Sequence, residues 1–324
     1  MTRFIRFSLI IPTTDLDRRE LLIQTLSLVD GAFSGNQTEV IIVENGIKKE
    51  KANSFFKRLK EQYPRLKIKN FSLARRSASQ ARNLGVKKSK GNWLVFLDDD
   101  CLLTKNWPKE IKRLSQLPSG EIFQGRIIHQ FEEKNLFVDI FLFWLEFSRR
   151  ISAQGEIEKP TKLLHIGNAM FKKKIFKSLD YVFDETLFPF VGEEADLAAR
   201  LLKNGVSILY VPKLTVRHIK KTRTLGDTFK KAFLYGRKEG ILTERYPLDL
   251  LAQQALGQEI NKLKKQIGKK NRRIFFRLLK KWLSGKSLLY KIGFVFFLLL
   301  RQLFFWLGFI YGRIFYKFYQ SFKK

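Results

Sequence analysis

Three adjacent carboxylates, Asp98-Asp99-Asp100, follow directly on the apolar run Trp93-Leu94-Val95-Phe96-Leu97. A strand that delivers three like charges to one point needs a cation among them to offset their repulsion, and a hard divalent metal with a diphosphate is the natural occupant. The competing reading is a solvated acidic turn that caps the next helix. Upstream, Ala81-Arg82-Asn83-Leu84-Gly85 closes a segment of arginines and small residues. Arginine beside a nucleotide site offsets phosphate charge. Arg82 suits that role, whereas Arg75 and Arg76 read as surface charge. A second acidic cluster, Glu193-Glu194-Ala195-Asp196, opens a stretch of helical spacing. Carboxylates there fit either a general base or plain stabilisation of the helix's positive end.

The elements that must position these residues alternate. Phe4 to Ile11 reads as a strand ended by Pro12, Leu16 to Val29 as a helix after the cap candidates Thr14 and Asp15, and Val40 to Val43 as a buried strand. Lys48 to Tyr63 reads as helix, Leu66 to Asn70 as strand, Ser77 to Lys88 as helix and Trp93 to Leu97 as strand. This alternation predicts an α/β fold, a mostly parallel sheet with helices on both faces and ligands beyond the carboxyl ends of the strands. Pro12 to Asp15, Glu44 to Gly46 and the three aspartates then share one edge. Later, Leu197, Leu201 and Leu202 face inward on a helix closed by Gly205. Leu136 to Phe147 is apolar but too short to span a bilayer; it reads as core by default or as a lipid contact, with loop character from Ser148 to Leu163.

The chain has 324 residues, 45% of them hydrophobic, which excludes wholesale disorder. One cysteine, Cys101, and three histidines exclude an internal disulfide and a Cys/His zinc cluster, so the chain reads as intracellular, and its N-terminus reads as a strand rather than a signal peptide. The net charge of +32 is uneven: residues 260–324 hold 17 Lys/Arg and no Asp or Glu, together with 11 of the 31 Phe. Cations interleaved with bulky apolar residues suit an anionic membrane surface. A nucleic-acid binder is set aside, because no DNA or RNA module is visible and the tail's apolar clusters would gain nothing on a phosphate backbone. Ser284-Gly285-Lys286-Ser287 echoes a phosphate loop, but Lys280 stands where glycine is required; no dinucleotide fingerprint and no nucleophile elbow occur.

Seven segments in order resemble the family-two inverting glycosyltransferases of GT-A fold: Ser8 to Thr13, Ile41 to Gly46, Ala81 to Gly85, Phe96 to Cys101, His165 to Met170, Gly192 to Leu197 and Val211 to His218. The resemblance covers roughly residues 4 to 220. It implies a donor that is a nucleotide-sugar, usually a UDP-sugar, a divalent metal (Mn²⁺ or Mg²⁺) and a glycan or polyprenyl-lipid-linked acceptor. It implies that Thr13 and Glu44 hold the uracil end, Glu44 standing where the family more often has Asp. It assigns Asp98 to the nucleoside, Asp99 to ribose or solvent, Asp100 to the metal, His218 to the metal or diphosphate, and Gly167 and Asn168 to the segment under the donor sugar. Arg82 shares the leaving group's charge, and Glu194 is the base, with Glu193 as runner-up. His129 and His165 read as ordinary. The signature of processive polysaccharide synthases is absent, which favours transfer of a single sugar; the alternative on the same fold is an inactive membrane scaffold.

The expected organisation is a GT-A domain over 1–225, with a nucleotide-binding half (1–105) and an acceptor half (106–225), a helical connector (226–259) and a membrane-association region (260–324). The last is expected on the cytoplasmic face of the cell membrane. In Ile292 to Ile310 the apolar content permits a span. Lys291, Arg301, Gln302, Arg313, Lys317 and Gln320 nevertheless fall on one arc of a helical wheel, which favours a helix lying in the interface.

Overall fold

The structure is a computed structural model and describes residues 6–14, 19–33, 37–46, 49–74, 77–151, 157–161, 164–221, 223–246 and 260–322. Its strands are β1 (Phe7–Thr13), β2 (Thr38–Asn45), β3 (Lys67–Leu73), β4 (Trp93–Leu97), β5 (Cys101–Leu103), β6 (Ile122–Phe131), β7 (Lys159–Thr161), β8 (Asn168–Lys172) and β9 (Ile208–Lys220). The helices are α1 (Arg19–Ala32), α2 (Lys49–Gln62), α3 (Ala78–Lys88), α4 (Trp107–Ser115), α5 (Leu136–Ile151), α6 (Glu193–Lys203), α7 (Leu225–Arg245), α8 (Ile260–Leu283) and α9 (Leu288–Ser321). Contacts divide the chain into Met1–Gln130 with Glu156–Lys220, and Phe131–Gly155 with Lys221–Lys324. Leu136 to Phe147, placed in the acceptor half by the sequence reading, thus falls with the C-terminal helices.

In the first unit, among the described residues, one sheet runs β3-β2-β1-β4-β8-β6-β9-β5, with β7 on β9. The first four strands are parallel, as helical crossovers require. Beyond β4 the pairings of β8 with β4 and β6, and of β9 with β5 and β7, are antiparallel. β2 is buried at every position because helices cover both of its faces, while β3 is the half-exposed edge with Lys67 and Lys69. Side chains alternate: Leu9 and Ile11 join α1 and α2 residues such as Leu26 and Phe56 in one core, and Ile10 joins Phe96, Leu197 and Leu201 in the other.

Pro12 does not end β1. The ladder with β4 stops at Ile10, opposite Phe96, so a proline two residues later interrupts nothing there, and pairing with β2 continues to Thr13 opposite Glu44. His218 lies inside β9 opposite Cys101. Arg75, Arg76, Asp15 and residues 247–259 of the expected connector lie outside the described residues; 226–245 of that stretch belongs to α7.

The second unit is helical. Ile140 and Phe143 of α5 share a core with Leu278 of α8 and with Phe294 and Leu298 of α9. α7 starts on a capping box, Thr224 and Asp227 exchanging hydrogen bonds. It packs on α9 through glycines: a Cβ on Gly236 or Gly240 would strike the α9 backbone at Phe305 or Phe309, and one on Gly308 or Gly312 the α7 backbone at Phe233 or Arg237.

In the first unit Gly85 brings α3 onto β1, for a Cβ there would overlap the Ile10 side chain. Gly85→Ala should therefore destabilise the fold by about 1–3 kcal/mol, seen as a lower urea midpoint. Pairing it with Ile10→Ala should cost less than the sum of the two single changes; strict additivity would contradict the contact.

Candidate active site

Arg82 is buried, and its guanidinium bridges two carboxylates: one nitrogen donates to Asp98 Oδ1 at 3.0 Å and another to Glu193 Oε1 at 2.6 Å. Three elements meet there, α3 supplying the arginine, the end of β4 the aspartate and the first turn of α6 the glutamate. Burial alone would pull the guanidinium pKa down, but Asp98, Glu193 and Glu194 outweigh it and hold the pKa above the usual arginine value. The next residue on α3 secures the same neighbourhood. Asn83 donates to the Phe183 carbonyl (2.9 Å) and to Glu185 (2.7 Å), and accepts from the Phe183 N–H (3.0 Å).

Asp100 turns away from Asp98. Its Oδ1 lies 2.7 Å from His218 Nε2, a meeting produced by the β5–β9 pairing and by the Ile219 N–H donating to the Asp100 carbonyl at 2.8 Å. Asp100, Cys101 and His218 are all buried, with potential ligand atoms within 4.8 Å of one another. Burial pushes the Cys101 thiol well up, with the Asp98 and Asp100 charges adding to it, so it is not a thiolate at neutral pH. The usable donors are therefore one carboxylate oxygen and one imidazole nitrogen, a set that suits a divalent ion such as Mn²⁺ better than a thiolate-seeking metal. Asp99 is also buried.

Glu193 and Glu194 are adjacent yet face different surroundings. The Glu193 side chain is 7% exposed and held by Arg82; burial raises its pKa, Arg82 opposes this and the Glu194 charge adds to it. The Glu194 side chain is 34% exposed, 3.6 Å from His165 Nδ1, and accepts the Ile166 N–H at 3.0 Å. Burial would raise its pKa as well, but His165, the Ile166 N–H and Arg82 hold it well below the usual carboxylate range. The N-cap of α6 is Gly192 at φ +106°, and both glutamates lie in its first turn. Adjacent carboxylates pushed apart in this way can take different protonic roles.

The family model for glycosyl transferase family 2 matches residues 8–180. The chain belongs to that family. No curated protein sequence matches it. Among solved structures it is similar to the mannosyltransferase PcManGT from Pyrobaculum calidifontis, in complex with GDP-Man and Mn²⁺, at 14% identity and a TM-score of 0.61, over 97% of this chain and 88% of that one. It is also similar to GalNAc-T7 with UDP, GalNAc and Mn²⁺, at 17% identity and a TM-score of 0.52, over 89% of this chain and 59% of that one. The fold is that of the GT-A glycosyltransferases.

In this family-two transferase the structure brings together Arg82, Asp98 and Glu193, then Asp100 and His218, and at the ends of β1 and β2 the register partners Thr13 and Glu44. Glu44 is fully buried and accepts from Ser72 Oγ at 2.9 Å; burial raises its pKa and Ser72 and Asn70 hold it partly down. The structure also adds surroundings that the sequence reading did not give. Arg82 is engaged by two carboxylates rather than left open for a diphosphate. Asp99 is buried rather than turned to solvent. Gly167 makes room for Asp98, whose carboxylate a Cβ would overlap. Asn168 does not offer its side chain to a donor: it is fully buried, accepts from Trp107 Nε1 at 3.0 Å and donates to the carbonyls of Leu214 (2.8 Å) and Arg126 (3.1 Å). His165 and His129 are not ordinary either. The first approaches Glu194, and the ring of the second lies 5.1 Å from that of His218. The one sequence signal for His165 was its place three residues ahead of Asn168, just before a strand.

Asn168→Ala should remove the partner of Trp107 Nε1 and of the buried Leu214 carbonyl, at about 1–3 kcal/mol for each buried group left unsatisfied. The expected result is a large fall in melting temperature with donor affinity unchanged in the folded fraction. A loss of donor affinity at unchanged stability would return Asn168 to the donor site.

Proposed function

We propose that the chain is an inverting hexosyltransferase that moves one sugar from a nucleoside-diphosphate sugar to a hydroxyl of a glycan or polyprenyl-lipid-linked acceptor. The observation that carries this reading is the pairing, within one unit, of an ionised and partly exposed carboxylate, Glu194, with a separate carboxylate–imidazole pair, Asp100 and His218. The acceptor oxygen attacks C1, the bond from C1 to the diphosphate oxygen breaks, and the acceptor proton passes to Glu194. One positioned base suffices, because the leaving group departs as a diphosphate rather than as an alkoxide that would need its own acid. A divalent ion, Mn²⁺ or Mg²⁺, held by Asp100 and His218 would supply Lewis-acid stabilisation of the departing diphosphate. Arg82 acts at one remove, keeping Asp98 and Glu193 in place. Thr13 and Glu44 are assigned to the nucleobase, their support being adjacency at the strand ends. A UDP-sugar is the proposed donor; since PcManGT was solved in complex with GDP-Man and GalNAc-T7 with UDP, both nucleotides belong in the test.

Membrane association through residues 260–324, on the cytoplasmic face, would bring the enzyme to an acceptor carried on lipid. Its support is the uncompensated positive charge of that segment and α9, a helix long and apolar enough to cross a membrane.

Asp100→Asn should abolish metal-dependent donor hydrolysis and the thermal stabilisation that UDP-sugar and Mn²⁺ together confer, with the melting temperature of the free protein little changed. Full activity of this variant in excess chelator would refute the metal assignment, and a wild-type protein that hydrolyses no nucleotide-sugar would favour the inactive scaffold.

Glu194→Gln should lower transfer by at least about 10²-fold at unchanged donor affinity. A base must be ionised, so the pKa depressed in the free enzyme places the acid limb of kcat/KM below the ordinary glutamate value. Were Glu193 the base, its raised pKa would put that limb above the ordinary value, and Glu193→Gln would be the damaging change.

A further inference from the structure

The second unit carries a surface that the transfer chemistry does not use. Leu289, Ile292, Phe296, Leu303, Trp306 and Ile310 of α9 are all exposed, recur every three to seven residues and form one apolar stripe. The opposite side of the helix is occupied from Tyr290 to Arg313. Near its start, Tyr290 donates to Asp139 of α5 at 2.5 Å, and Phe294 and Leu298 are buried against α5 and α8. At its middle the Arg301 guanidinium sits 4.6 Å from the Trp144 ring of α5. Further on, Gly308 and Gly312 lie against the α7 backbone, and Arg313 pairs with Glu244 of α7. Of the polar arc on α9, Arg301 is therefore turned to protein, whereas Arg313 and Lys317 remain exposed beside the outward apolar residues.

We propose that α9 lies in the plane of the membrane, its stripe inserted into one leaflet of an anionic bilayer, and does not cross it. This deepens the membrane association proposed above and rests on it. The helix is 34 residues long, about 51 Å, against a hydrocarbon core of about 30 Å. Charged residues accompany it: Asp139 of α5 lies at its start, and Lys230 and Lys231 of α7 are exposed next to Phe229, whose ring stacks on Phe304 near its middle. A transbilayer placement takes one of these sets into hydrocarbon, whereas an in-plane placement takes neither. Close packing through Gly236, Gly240, Gly308 and Gly312 holds α7 against α9, as small residues do where helix backbones touch. Charge selects the lipid: the 17 Lys/Arg of residues 260–324, with no Asp or Glu, complement acidic headgroups.

The test uses the full chain with a spin label on a single introduced cysteine at Leu289, Phe296, Leu303, Ile310 or Phe318. Cys101 is buried with a thiol pKa pushed up and stays unlabelled. Bound to vesicles of mixed phosphatidylglycerol and phosphatidylcholine, the five labels should report depths equal to within about one helical pitch, 5 Å. Depths that progress steadily at about 1.5 Å per residue would show a crossing helix, overturning the in-plane proposal and leaving membrane association intact. Labels shielded from both oxygen and a water-soluble relaxant would mean that a second copy covers the stripe, which also overturns it. Failure to bind anionic vesicles removes the membrane association itself, and donor hydrolysis in the same sample reports separately on the transferase.

Discussion

The first unit depends on one buried cation. Arg82 is the only link among the described contacts that joins the end of β4 to the start of α6 through charge, and it does so inside the protein, where an uncompensated carboxylate would be costly. Removing one partner from such a buried set costs roughly 3–5 kcal/mol. Its neighbours on α3 are shaped to the same end: Ala81 is buried beneath the sheet, Asn83 ties down residues 183–185, and Gly85 lets the helix approach Ile10. The Ala-Arg-Asn-Leu-Gly segment is thus a structural clamp whose product is a pair of oriented carboxylates.

With Asp98 turned toward Arg82, the repulsion expected among three adjacent aspartates is relieved by divergence. Asp98 goes to a guanidinium and Asp100 to an imidazole, and the tight turn between them is closed by the Cys101 N–H on the Asp98 carbonyl at 3.1 Å. The same separation is repeated on α6. Glu193 is drawn into the buried cluster and its pKa rises; Glu194, one residue on, turns to His165 and a backbone N–H and its pKa falls. Two pairs of like charges are each resolved by giving every member its own partner, and the partly exposed member of the α6 pair is the one whose pKa is lowered.

The second unit follows a different constraint. Four glycines let α7 and α9 approach until their backbones meet, and aromatic rings fill the seam, Phe229 stacking on Phe304 with centroids 4.7 Å apart. Once α5, α7 and α8 have covered one side of α9, large apolar residues such as Leu289, Phe296, Leu303 and Trp306 stay exposed on the other. That pattern is stable at a water–lipid boundary, where one face of a helix can be dressed by protein and the other by acyl chains.

Much of this was legible from local sequence. Trp93 to Leu97 is a strand of five consecutive apolar residues and was found with its correct bounds, because burial on both faces leaves no polar interruption to misread. The acidic turn, the arginine on α3 and the two glutamates opening α6 stand out by residue type alone, since charged groups packed closely in sequence need an explanation wherever they fold. Direction was not legible. Whether Asn168 faces a ligand or the framework depends on Trp107, Arg126 and Leu214, which lie 42 to 61 positions away along the chain. His165 acquires its significance only when α6 brings Glu194 to it, and Pro12 could remain in β1 only because β4 has already ended. On α9 the helical wheel marked a polar arc, but it could not say that Arg301 on that arc would pack on Trp144 while Arg313 and Lys317 stayed exposed. Periodicity belongs to one segment and is written in it, whereas the partner that meets each face is supplied by residues distant in sequence, and that pairing exists only once the tertiary structure has formed.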